Sequence, residues 1–458
     1  MASSKKPRPS ELSQRLTQFL DANIRPNQTL LVGLSGGLDS CVLLHLLVTA
    51  RARHFLHLKA VHVNHGISPN AENWARFCAE LCAAHDVAFA LETVTVPRDS
   101  GLGIEAAARK ARYAALRKHK ADALMLAHHR DDQAETVLLQ LLRGSGVRGL
   151  AAMPAIADFD GLPVFRPLLD VARGELENYA QIHGLRWIED ESNLDLAYDR
   201  NFLRHHVLPE IEKRFPAAKT TLARSAGHFA EAANLLDEIA AADAARYIDD
   251  AGFKIAALRE LSLARGCNLL RHWLARHLPE PPSTRRLREI SRQLLIARPD
   301  AQLRVEVGDG AVRRYRDHAV FVGRASLRSS QSAPLAVLSL PLVGEGWGEG
   351  KWQLPHGTLT FTRKQGQGLS ANKIPDQLEI RARSGGERFR PDAARPTRSL
   401  RNLLQESGIP PWQRDALPLI YAGERLAAIP GIGVACDLQA APDEAGWVIE
   451  FKRDLSVG

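Results

Sequence analysis

Two short stretches carry residue types that can do chemistry together. The first, Ser35-Gly36-Gly37-Leu38-Asp39-Ser40, lies between an apolar run and an apolar helical stretch. Glycines let a backbone approach an anion, successive N–H groups point inward, a helix N-terminus adds partial positive charge, and the hydroxyls of Ser35 and Ser40 add donors. Ser35, Gly36, Gly37, Leu38, Asp39 and Ser40 are therefore the candidate phosphate cradle. In the second, Asp132 and Glu135 are at i, i+3 on a helix that starts near Asp131, and His128 precedes them at a strand end. Two carboxylates and an imidazole so placed can hold a cation and take a proton, although the same acids also suit a helix N-terminus. Arg109 and Arg112, again at i, i+3, offer guanidinium groups against developing phosphate charge, or a solvated ion pair with Glu105.

These residues need a scaffold, and the surrounding pattern supplies one. Short apolar runs at 29–34, 58–63, 89–94 and 123–127 alternate with helical stretches near 40–50, 71–85, 104–118 and 133–142. That alternation predicts an α/β fold, a parallel sheet with flanking helices. Ligands in such sheets collect beyond the carboxyl ends of the strands, so the loops after Leu34, Val63 and Ala127 should converge. Residues 220–278 turn Ala- and Leu-rich with helical period, followed by the Arg-rich 283–298 and strand-like runs around Leu303 and Ala319. Residues 326–370, with a Gly/Trp segment at 344–350, break the pattern and read as a linker or insertion. Strand-like runs and a helix at 399–407 that ends before Gly408 and Pro410 then suggest a small α+β domain. The expected division is 1–215, a mainly helical 216–325, the linker 326–370, and 371–458.

Composition narrows the class. No apolar run in the 458 residues approaches the roughly 20 needed to span a bilayer, and the basic start of the chain has no signal-type apolar core, so a cytoplasmic protein is expected with no membrane partner. The five cysteines are too scattered for a disulfide framework. Cys78 and Cys82 read as small packed residues rather than metal ligands. A formal net charge of +8 with arginine in excess favours an anionic partner such as RNA. Self-association as a homodimer is left open.

The loop lacks the Gly-Lys-Ser/Thr of a Walker A motif and the Gly-x-Gly-x-x-Gly of a dinucleotide fold. It resembles instead the SGGxDS motif of the N-type ATP pyrophosphatases, the PP-loop superfamily. The resemblance implies ATP cleaved to AMP and pyrophosphate, with Asp39 helping to hold Mg²⁺. Further motifs resemble one family in it. His62-Val63-Asn64-His65-Gly66, Ala127-His128-His129-Arg130-Asp131-Asp132, Arg166-Pro167-Leu168-Leu169 and Arg200-Asn201 with Arg204 are similar to the tRNA(Ile)-lysidine synthases, as are Arg383 to Pro391 and Leu403 to Trp412 near the C-terminus. Arg401 stands where that family often has Lys.

What the resemblance implies is specific. An ATP-dependent ligase would adenylate the wobble cytidine of CAU-anticodon tRNA(Ile), and free L-lysine would attack carbon 2 to give lysidine. Asp132 and Glu135 would bind the lysine ammonium and accept its proton, with His128 as base or phosphate contact and Arg109 and Arg112 against a phosphate. Arg200 and Arg204 would face the tRNA backbone, and Arg388, Arg390, Arg398 and Arg401 would grip the tRNA from the C-terminal domain. The competing expectations are a thiolation enzyme, which would need a cysteine pair that the chain does not display, and an inactive RNA-binding relative.

Overall fold

The computed structural model describes residues 9–66, 68, 70–95, 104–298, 303–324, 338–341, 350–354, 357–375, 377–414 and 417–453. The chain divides into two units, Met1–Leu235 and Leu236–Gly458. No described helix is long and apolar enough to cross a membrane.

In the first unit the elements run in chain order α1 (Pro9–Asn23), β1 (Thr29–Gly33), α2 (Leu38–His54), β2 (His57–Asn64), α3 (Ala71–Ala84), β3 (Ala88–Thr93), α4 (Ile104–Leu116), β4 (Ala123–Met125), α5 (Arg130–Leu142), α6 (Val147–Leu150), β5 (Ile156–Phe159), β6 (Leu162–Phe165) and α7 (Arg173–Ile182). Then come α8 (Asp199–Phe202), a π-turn (Leu203–Val207), α9 (Leu208–Arg214) and the long α10 (Ala218–Tyr247), whose span crosses the boundary between the units. The sheet order is β3-β2-β1-β4-β6-β5, parallel except for the β5/β6 hairpin.

Leu30, Leu31 and Val32 of β1 are fully buried, as expected of a strand covered on both faces. Leu12, Leu16 and Leu20 of α1, Leu43, Leu44 and Leu47 of α2, and Leu176 and Tyr179 of α7 form one core; Tyr113 and Leu116 of α4 join Leu31, Val61, Leu124 and Val164 in another. Because β2 and β4 flank β1 on opposite sides, the connections after β1 diverge. The crevice beyond the carboxyl ends of β1 and β4 is where such a sheet holds a ligand.

The second unit has two cores. One packs helices Leu263–Leu274 and Thr284–Ile296 against a five-stranded sheet. The other joins a five-stranded and a four-stranded sheet, both wholly antiparallel. Here the expected linker over 326–370 is corrected where it is described. Gly350–Leu354, Gly357–Gln365 and Leu369–Ser370 are strands of the four-stranded sheet, paired with Ala445–Arg453 or with one another. Alternation explains it, since Leu359, Phe361 and Leu369 are buried in the C-terminal core while neighbouring polar residues face out. Residues 344–349 of the Gly/Trp segment lie outside the described residues.

Candidate active site

The strand β1 ends at Gly33 and α2 begins at Leu38, so the loop residues Ser35 to Gly37 sit at the mouth of the crevice. Gly36 has φ +88°, and a Cβ there would lie 2.8 Å from Ile188 Cδ1 and 3.1 Å from Cys78 Sγ, so only glycine fits. Ser40 is buried and its hydroxyl donates to Gly37 O at 3.0 Å while accepting from Gly36 N at 3.2 Å. Its single proton being used, the 3.0 Å contact with Ser35 Oγ has Ser35 as donor, and Ser35 Oγ in turn accepts from Gly37 N. Both hydroxyls are thus tied into the loop, Ser40 from inside.

Asp39, in the first turn of α2, has Oδ1 buried without a partner and Oδ2 3.5 Å from His129 Nε2. His129 is 1% exposed, and Nε2 lies equally 3.5 Å from Asp132 Oδ2. Its Nδ1 accepts from the backbone N–H of Asp131 and Asp132, capping α5, while Asp132 Oδ2 accepts from His129 N at 3.0 Å. The cap fixes the proton on Nε2, between two carboxylates. Burial pulls this imidazole down, but the bond to Asp39 and the charges of Asp132, Asp39 and Asp131 outweigh it and hold it above its ordinary range. Sequence reasoning settled on the adjacent His128 and missed His129, although its position before Arg130-Asp131-Asp132 is that of a helix cap.

Asp132 and Glu135 do share a face of α5, and a guanidinium already holds them. Arg204 donates to Glu135 Oε1 at 2.6 Å, to Glu135 Oε2 at 2.9 Å and to Asp132 Oδ1 at 3.2 Å. Arg204 therefore turns inward and does not present its charge to an RNA backbone, a correction to the sequence reading. Burial pushes the Glu135 carboxyl up against the opposing pull of Arg204. Asp131 plays a different part, bonded to Lys219 at 2.9 Å and to the backbone of Arg173.

Beside the acids lies a group of bases. Burial, reinforced by the charges of Arg112, Arg166, Arg109 and Arg200, pushes His128 well below the usual imidazole range. A buried imidazole held low in this way is a weak proton acceptor. Arg109 and Arg112 lie over the Tyr113 ring at 5.3 and 5.6 Å, Arg166 donates to Tyr113 Oη at 3.3 Å, and Arg200 donates to Thr136 Oγ1 at 3.4 Å. The side chain of Glu105 lies outside the described residues. Arg112 also lines a cavity of about 320 Å³ walled by Leu34, Ser35, Val61 to His65, Trp74, Leu126, Asp190 and Tyr198, large enough for a nucleoside. The loops after β1 and β2 and the end of β4 converge there as the strand pattern predicts.

In the C-terminal part, Arg388 and Arg401 are exposed. Arg390 is tied to the backbone of Arg395 at 2.8 Å and to that of Ala393, and Arg398 pairs with Glu406.

An open parallel sheet, a glycine loop feeding a helix and an acidic residue at its first turn define a PP-loop enzyme that uses ATP, and residues 9–211 match the PP-loop domain family. Residues 253–320 match the TilS substrate binding domain and 378–451 the TilS substrate C-terminal domain. The tRNA(Ile)-lysidine synthase of Nitrosomonas europaea is 42% identical over 455 residues, covering 98% of each chain. That of Coxiella burnetii is 37% identical over 96% of each. The chain belongs to the tRNA(Ile)-lysidine synthase family. Among solved structures, a U34-tRNA thiolase from Methanococcus maripaludis aligns with a TM-score of 0.42 at 19% identity, over 48% of this chain and 79% of that one.

Proposed function

We propose that the enzyme joins free L-lysine to carbon 2 of the wobble cytidine in CAU-anticodon tRNA(Ile), acting in the cytoplasm and cleaving ATP to AMP and pyrophosphate. Carbon 2 of cytosine carries an oxygen that leaves poorly. Its attack on the α-phosphorus expels pyrophosphate and turns that oxygen into part of an AMP leaving group. The lysine ε-amine then adds to carbon 2, loses a proton, and AMP departs with the former carbonyl oxygen.

The adenosine of ATP fills the cavity beside Ser35 and Val63, and the Gly36-Gly37 backbone with the N-terminus of α2 faces the phosphates. A buried carboxylate oxygen without a hydrogen-bond partner, Asp39 Oδ1, is the donor type Mg²⁺ takes, and Asp39 would hold the ion. Mg²⁺ when bound neutralises charge on the phosphates. Arg109 and Arg112, joined by Arg166, face the charge that develops as pyrophosphate leaves.

The observation that carries the lysine reading is the pair of a partly buried Asp132 and a buried Glu135, joined to Asp39 through His129 and holding a cationic side chain. A lysine ammonium, which ordinarily titrates near about 10.4, needs such a pair to be held and then to give up its proton. The basic surfaces of the middle domain and of the C-terminal domain, which includes the strands from Gly350 onward, take the body of the tRNA. Against a thiolating chemistry, burial pushes Cys41 up to about 12, Cys82 up to about 11 and Cys78 higher still, so these three are not ready nucleophiles.

The test separates the two steps. Glu135→Gln keeps tRNA-dependent pyrophosphate release and lowers lysidine formation by on the order of 100-fold. An equal loss in both steps would remove Glu135 from the lysine site.

A further inference from the structure

The segment from α8 through the π-turn has two faces. Inward, Arg200 reaches Thr136, Arg204 reaches Asp132 and Glu135, and Leu203 is buried. Outward, Phe202 is 48% exposed and His206 is exposed, and their rings stack with centroids 5.7 Å apart and planes inclined by 24°. The wide turn, closed by Leu208 N–H to Leu203 O, is a π-type insertion of the kind that re-aims side chains at functional sites. His205, also exposed, bonds through Nε2 to Asn193 O at 2.9 Å, which ties the turn to the loop bearing the exposed Leu194 and Leu196. Arg143 pairs with Asp199 at 2.9 Å, adding a guanidinium at the start of α8.

We propose that Phe202 and His206 form a stacking platform for an unpaired base of the tRNA anticodon loop next to the modified cytidine. The inference rests on the tRNA reading above and adds to it the surface that positions the loop. Single-stranded RNA is held chiefly by stacking of splayed bases on aromatic rings, with cations nearby for the backbone. The platform's place argues for the occupant: Phe202 is on the outer face of the short segment whose inner face carries Arg204 onto the acid pair, so the platform meets RNA that reaches round the turn toward the crevice. Such a platform orients the loop and leaves the chemistry to the crevice.

The test uses the full chain with a CAU anticodon stem-loop RNA and with copies of it made abasic at single loop positions. Phe202→Ala weakens binding of the intact stem-loop about ten-fold or more, His206→Ala weakens it less, and Phe202→Trp retains it. Against the RNA abasic at the stacked position, wild type and Phe202→Ala bind alike. Unchanged affinity of both alanine variants for the intact stem-loop would overturn the proposal. So would a Phe202→Ala defect that persists on every abasic RNA, or one that appears only as an altered sedimentation coefficient, which would mark an interface between copies of the chain. Lysine transfer by the wild type, assayed on the same preparation, is a separate readout. Its absence with the Phe202 dependence intact would count against the lysine chemistry and leave the platform standing.

Discussion

Asp39 meets its neighbours through His129, and that bridge sets what single substitutions should do. Asp39→Asn keeps the shape and removes the charge, so pyrophosphate release falls by on the order of 100-fold or more while tRNA binding in a filter assay is retained; loss of both together would assign Asp39 to folding. His128 supplies a pH test. Burial and four arginines hold its folded-state pKa well below 6.5, so below that pH the unfolded chain binds a proton that the folded chain refuses, and stability falls as pH falls. Between about pH 7.5 and 5.5 the wild type should lose more stability in urea unfolding than His128→Asn. Equal acid sensitivity of the two proteins would mean that the arginines do not face the ring. The sequence made Ser35 to Ser40 and the shared face of Asp132 and Glu135 readable, because both depend on near neighbours. Arg204 was misread because its partners lie on α5, some 70 residues away, and no local pattern tells an inward guanidinium from an outward one.

At the scale of elements, the loop geometry makes Gly36 the sharpest probe. Gly36→Ala combines a left-handed backbone, worth about 1–2 kcal/mol, with contacts against Ile188 and Cys78. A lowered urea midpoint and lost pyrophosphate release are expected, and a variant of full stability and activity would show that the loop is not held as described. The four leading strands and their helices were legible from apolar runs and helical period, to within a few residues at their ends. The β5/β6 hairpin was not, since Ile156 to Phe165 is short and its turn, Asp160-Gly161 with φ of 50° and 86°, is a two-residue signal easily passed over. The strands between 350 and 370 were hidden by the glycine-rich run before them, which turned attention from the alternation that buries Leu359 and Phe361.

At the scale of the whole molecule, the positive charge is spread over both units, and salt dependence reports how much of it meets phosphate. Arg401 is exposed, so Arg401→Gln should lower the slope of log affinity for tRNA against log salt by about one, with thermal stability unchanged. Arg390→Gln, which cuts bonds to the backbone of Arg395 and Ala393, should instead destabilise the C-terminal region. If the ATP chemistry ends in a carbon–nitrogen bond to lysine, purified protein with ATP, Mg²⁺, labelled L-lysine and unmodified CAU-anticodon tRNA(Ile) puts label into the RNA at one wobble cytidine per tRNA, matched by AMP and pyrophosphate. RNA that stays free of lysine label while it takes up labelled sulfur or ammonia would rule that chemistry out.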